Sequence, residues 1–114
     1  MIEEYRFGSL TIDGKTYNQD LEIRWMFSKT DILDWQRDES HIIDVEDVKR
    51  AAEQKPDTIV IGTGESGKAE VTESAKQFIA EKGIKLIIDI TEKAVRTFNK
   101  GGQTNVIGLF HLTC

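Results

Sequence analysis

A chain of 114 residues with 39% hydrophobic and 31% charged residues has the size and balance of one globular domain, 1–114, with its own core. Its net charge of −5 sets aside nucleic acid, whose binding needs a basic footprint to release phosphate counterions. No apolar stretch approaches the ~20 residues that span a bilayer, so no membrane is expected, and the single cysteine, Cys114, leaves no internal disulfide.

The start, Met1-Ile2-Glu3-Glu4, is acidic and lacks an apolar run, so neither a signal nor a transit peptide is expected and the cytoplasm is the expected location. Charge is unevenly placed. Residues 31–47 hold seven acids (Asp31, Asp34, Asp38, Glu39, Asp44, Glu46, Asp47) and one base, Arg37, for a local net of −6 against +1 for the remainder. One acidic face is implied.

In chain order, the first part reads as antiparallel β over about 4–25. Tyr5, Phe7, Leu10 and Ile12 are strand-like, but their parity flips between Phe7 and Leu10, which predicts a bulge at Gly8 or a strand covered on both faces. Asp13-Gly14 is a strong hairpin signal, and Leu21 to Trp25 alternates as a further strand. Residues 26–43 are irregular, with Trp35 and Ile42-Ile43 as core anchors.

Helix and strand alternate over about 44–112. Asp44 is placed to cap a helix whose inner face is Val45, Val48 and Ala52, and Pro56 stops it at Lys55. Thr58 to Ile61 is a short apolar strand. Thr72 is placed to cap a second helix with Ala75, Phe78 and Ile79 inward, and Gly83 suits its left-handed end. Whether residues 68–71 are loop or helix stays open. Ile84 to Ile90 is a strand, Thr91 caps a third helix through Ala94, Val95 and Phe98, Gly101-Gly102 closes it, and Val106 to Phe110 is the last strand. Unbroken apolar strands between amphipathic helices indicate an α/β fold: a single three-layer domain with a mixed, mostly parallel central sheet flanked by helices. The N-terminal antiparallel hairpin portion extends one edge or adds a small second sheet.

Gly62-Thr63-Gly64-Glu65-Ser66-Gly67 spells Gly-x-Gly-x-x-Gly after a strand, with Asp89 near the end of the next strand, where a ribose-binding acid sits in dinucleotide folds. Glycines there let backbone amides approach a pyrophosphate at a helix start. Against this, the best cap is Thr72, well past Gly67; two crossovers supply half a dinucleotide site; and Glu65 and Glu70 repel an anion. The stretch reads as a glycine turn at a strand end, with anion or small-ligand binding as the second reading. It is also where ligands collect in open α/β sheets, together with Thr91 and His111.

Other chemistry is sparse. His111, Cys114 and His41 lack the spacing of a zinc set, so no metal is expected, and Cys114 beside His111 is poorly placed as a nucleophile. No Ser/His/Asp set can be assembled and no Gly-x-Ser-x-Gly elbow is present. Trp35-Gln36-Arg37 in the acidic stretch is a candidate interface, an aromatic anchor beside a carboxylate clamp; the alternative is a core Trp with Arg37 neutralising Asp34 or Asp38.

Phe7-Gly8 before a hairpin, Trp35-x-Arg37 then His41, the strand Ile59 to Gly64, and the ending Phe110-His111-Leu112-Thr113-Cys114 together resemble one family. First catalogued as a domain of unknown function, it includes the adipogenesis-associated domain protein and the mitochondrial complex I assembly factor three. The resemblance covers essentially the whole chain and implies a compact three-layer α/β fold, a glycine loop defined by Gly62 and Gly64, no established enzymatic activity, and a role with protein partners in assembly or regulation; no cofactor is expected. The absence of a mitochondrial presequence argues against a complex I role.

The leading expectation is a non-catalytic cytoplasmic protein acting through protein interaction, with Trp35 and Arg37 as candidate interface. The alternative is a small-molecule or anion-binding protein, enzymes included, using Gly62, Thr63, Gly64, Ser66, Thr91 and His111.

Overall fold

The computed structural model describes residues 1–37, 39, 41–100 and 104–114. Strands β1 (Ile2–Arg6), β2 (Ser9–Ile12) and β3 (Lys15–Tyr17) form a small antiparallel sheet. The main sheet has the order β5-β4-β10-β7-β9, from β4 (Leu21–Met26), β5 (Lys29–Asp34), β7 (Thr58–Thr63), β9 (Lys85–Asp89) and β10 (Val106–His111). β10 is parallel to β7, and β7 to β9, whereas β4 and β5 run antiparallel at the other edge. The N-terminal part thus does both things its sequence allowed: β1–β3 make a second sheet and β4–β5 extend the first.

Both faces of the main sheet are covered, which explains why β7 and β10 are apolar without alternation. Ile59, Ile61, Ile107 and Leu109 pack with α1 (Val45–Glu53) and α2 (Glu73–Glu81), through Val48, Ala52, Ala75 and Ile79. Val60, Val106 and Phe110 face the opposite way, against Phe98 and Ala94 of α3 (Thr91–Asn99) and Leu10 and Ile12 of the small sheet. The Phe98 and Phe110 rings meet edge to face at 5.7 Å. Three layers result.

Helix starts follow the local signals at two of three places. Asp44 accepts from Val45 N–H and forms a reciprocal capping box with Asp47; Thr72 accepts from Ala75 N–H at 3.1 Å. After α1, Lys55 takes a left-handed φ of 56° before Pro56. Thr91 is different. It is the first residue of α3, Ile90 holds the cap position without a side-chain bond, and the Thr91 hydroxyl is used elsewhere. Residues 68–71 resolve as neither a plain loop nor a helix: Glu70–Val71 (β8) pairs in parallel with Ile42–Ile43 (β6). The expected glycine ending at Gly101-Gly102 lies outside the described residues, as does Asp38.

Turn chemistry corrects two strand readings. Gly8, expected as a bulge, has φ +81° and with Phe7 forms the tight turn between β1 and β2; the bulge lies at Ile2/Glu4 instead. The irregular 26–43 segment contains β5, entered by a turn at Phe27 and Ser28 with φ of 53° and 62°. Asp13-Gly14 adopts the same handedness with φ of 49° and 83°, as its sequence signals. For a bulky residue such as Phe27 that conformation is strained, at a cost on the order of 1 kcal/mol. Replacing Phe27-Ser28 by Asn-Gly is therefore expected to stabilise the fold by about 1 kcal/mol, read as a rise of a few degrees in the thermal midpoint.

Candidate functional site

At the carboxyl ends of the parallel strands, His111 of β10 lies opposite Thr63 of β7. On the other side of β10, Phe110 pairs with Leu21, the first residue of β4, so Asp20 arrives beside His111. The Asp20 carboxylate then joins distant parts of the chain. Its Oδ1 accepts from Leu112 N–H at 2.9 Å. Its Oδ2 accepts from Arg37 Nη1 at 2.7 Å and lies 2.7 Å from His111 Nδ1. The Arg37 and His111 side chains are both 4% exposed. Arg37 also stacks over the Trp35 ring at 4.6 Å, and the Trp35 indole N–H donates to Asp47 O.

His111 faces acceptors on both ring nitrogens, Asp20 Oδ2 at Nδ1 and the backbone oxygen of Cys114, 2.7 Å from Nε2. An imidazolium serves both acceptors as a double donor, set against the Arg37 Nη2 donor 3.0 Å from the same Nδ1. The Asp20 hydrogen bond raises the His111 pKa above its usual value; burial opposes the shift, the Cys114 oxygen and the Asp20 charge add to it, and Arg37 opposes it. For Asp20, burial pushes the pKa up, but the combined hydrogen bonds from His111, Leu112 N–H and Arg37 hold it below the usual carboxylate range. A second carboxylate that sequence reading passed over, Glu22 on β4, is 1% exposed and bridges Arg24 Nε at 2.6 Å and Arg50 Nε at 3.0 Å, tying α1 to the sheet.

The segment after β10 covers the glycine loop. Glu65 N–H donates to Thr113 O at 2.9 Å, and Gly8 N–H donates to Leu112 O at 2.8 Å. The Thr91 hydroxyl donates to His111 O at 2.5 Å and accepts from Gly64 N–H at 2.8 Å. Tyr5 hydroxyl donates to Leu112 O at 3.1 Å; burial, then the Glu65 carboxylate, pushes its pKa up to about 12. Gly62 and Gly64 are glycines for packing: a Cβ on Gly62 meets Thr91 Oγ1 at 2.9 Å, and one on Gly64 (φ +104°) meets Thr113 O at 2.6 Å. The amides of Gly64 and Glu65, which a phosphate cradle requires, are spent inside the protein.

The structure thus brings together Gly62, Thr63, Gly64, Thr91 and His111, as the sequence suggested, and adds Asp20, Arg37 and Tyr5. Ser66 stays exposed on the loop, and Thr63 Oγ1 donates to Asp89 O. Of the candidate interface pair, Trp35 is 4% exposed and Arg37 engages Asp20. The Asp89 carboxylate accepts from Ile90 N–H. Among the described residues no three metal-ligating side chains gather, and His111 Nε2 meets the Cys114 backbone rather than its exposed thiol.

A family model described as a protein of unknown function (DUF498/DUF598) matches residues 2–110, and the chain belongs to that family, in agreement with the sequence resemblance. Solved structures share the fold. A conserved hypothetical protein from Pyrococcus horikoshii OT3 aligns with TM-score 0.86 at 24% identity over 100% of this chain and 99% of its own. An outer membrane protein from Bartonella henselae gives 0.76 at 22% over 99% and 94%, and a Xanthomonas campestris protein 0.71 at 14% over 96% and 83%. In this chain no described helix is long and apolar enough to cross a membrane.

Two measurements probe the cluster. Asp20, with its lowered pKa, contributes stability that is present above the ordinary 3.8 and lost as pH falls through its folded value; His111, with its raised pKa, contributes stability that is present below 6.5 and lost as pH rises through its folded value. The pair is thus fully stabilising between those two values. Asp20→Asn is expected to cost about 3 kcal/mol, remove that pH dependence in urea melts, and lower the pH at which the His111 ring 15N signals change from imidazolium to neutral. Gly64→Ala is expected to cost at least about 2 kcal/mol through strain and the clash with Thr113. Gly14→Ala, with nothing within 4 Å, meets only the strain of its φ of +83° and is expected to lose less in the same melts.

Proposed function

We propose that this chain, a member of a family whose description names no activity, is a non-catalytic cytoplasmic protein that works by binding a protein partner, with Phe27 as an anchor. The observation that carries this reading is Phe27 itself. It is 79% exposed at the tip of the β4–β5 hairpin, in a left-handed turn that favours Asn or Gly. A ring so exposed adds little to the core, while strained residues cluster at functional sites and aromatics are enriched among interface hot spots. The polar cluster supports the same reading, because both His111 ring nitrogens and the Gly64 amide are engaged within the chain.

A small-molecule reading is left with the groove beside the loop, about 370 Å³, lined by Thr63, Gly67, Glu70, Glu73, Lys76 and Ile88. Its two carboxylates against one ammonium favour a neutral or cationic ligand over a phosphate.

Immobilised wild-type protein and Phe27→Asn, exposed to native lysate at near-physiological salt, test the anchor. The variant improves the turn, so lost capture reports the ring and not unfolding. Loss of a hot spot of about 2 kcal/mol weakens a partner about thirtyfold. Equal capture by both proteins would remove Phe27 from the interface. A specific ligand raising the thermal midpoint, with no partner captured, would favour the groove.

A further inference from the structure

Among the described residues β9 ends the main sheet, with β7 on one side and no strand on the other. Its sequence is Lys85-Leu86-Ile87-Ile88-Asp89, an apolar centre between opposite charges. Lys85 N–H donates to Asp57 O at 3.0 Å. In a parallel ladder this fixes the alternation: the backbone groups of residues 85, 87 and 89 turn toward β7, and those of Leu86 and Ile88 turn outward. Ile88 is 39% exposed on this edge.

We infer that β9 is a homodimer edge, pairing antiparallel with β9 of a second copy about a two-fold axis at Ile87. Three features specify this register together. Leu86 and Ile88 of opposite copies face each other with outward N–H and C=O groups, so each exchanges both main-chain hydrogen bonds. Ile87 meets its own counterpart at a non-hydrogen-bonded position, where side chains approach most closely. Lys85 meets Asp89 of the second copy, and Asp89 meets its Lys85, on the same face as Ile87.

Other registers lose this agreement. A slip of one residue sets outward-facing backbone groups against inward-facing ones, and a slip of two sets Lys85 and Asp89 against isoleucines or the strand flanks. Complementary charge at both ends therefore selects a second copy over an unrelated strand, and antiparallel over parallel pairing. The apolar cross pairs lie where each copy is already half-buried: Leu86 packs toward the α1/α2 core and Ile87 toward the α3 core. Paired in this way, the sheet runs continuously through both copies, and the unpaired edge is covered. This surface is separate from the Phe27 hairpin and does not depend on it.

A charge-swap experiment on the full chain tests the pairing. Sedimentation of wild-type protein over a concentration series is expected to show a species of twice the 12.9 kDa chain mass. Lys85→Asp alone and Asp89→Lys alone each place like charges at both ends of the paired strands. Each is expected to raise the dimer dissociation constant on the order of tenfold. An equimolar mixture restores opposite charges in the heterodimer and is expected to recover wild-type affinity. Ile88→Lys, at an exposed position, is expected to dissociate the dimer without unfolding, with circular dichroism confirming the fold of each variant. Wild-type protein that stays monomeric up to about 100 µM, in the range of weak transient association, would overturn the inference. So would a dimer indifferent to these substitutions, or folded charge variants whose mixture does not recover.

Discussion

Asp20 carries the constraint on which the far end of the molecule depends. A largely buried carboxylate stays ionised only if its oxygens are satisfied. Here one oxygen takes the Leu112 amide and the other takes Arg37 and His111. Those partners come from the segment that follows β5 on its way to α1 and from the close of β10, so the bond network pulls the 111–114 segment across the strand ends. With that segment in place, Thr113 O occupies the Glu65 amide, His111 O takes the Thr91 hydroxyl, and that hydroxyl occupies the Gly64 amide.

The Gly64 and Glu65 amides of the glycine loop are for this reason bonded within the chain. A nucleotide cradle needs free amides at a helix start, and α2 begins only at Glu73. The glycines are required because backbone and side chains approach too closely for a Cβ, which is a packing demand rather than a ligand demand. A position where ligands often gather in α/β sheets is filled by the protein's own chain.

The Phe27 turn and the β9 edge are exposed in different ways. Phe27 offers a large side chain on a turn held against its preference, which points to recognition by a partner's pocket. The β9 edge offers main-chain groups flanked by opposite charges, which points to recognition by a complementary strand. The acids of 31–47 are partly absorbed by structure: Asp44 and Asp47 cap α1, and Asp34 accepts from Gln19. Asp34, Glu46 and Asp47 still line a shared groove of about 400 Å³ beside Trp35 and Arg50.

What the sequence determined by itself was whatever is encoded within a few residues: the Asp13-Gly14 turn, the Asp44 and Thr72 caps, the apolar β7 and β10, and hence the three-layer class. These rest on hydrogen bonds and burial patterns confined to one segment. The strand β5 escaped notice because Lys29-Thr30-Asp31 is exposed and lacks alternation, and Thr91 imitates a cap because Ser or Thr at a helix start usually is one. Only the tertiary structure decided where Thr91 donates, what Gly64 touches, and that Asp20 meets His111 across a separation of 91 residues. A hydrogen bond between residues that far apart leaves no periodicity or spacing along the chain, since strand register alone brings its partners together.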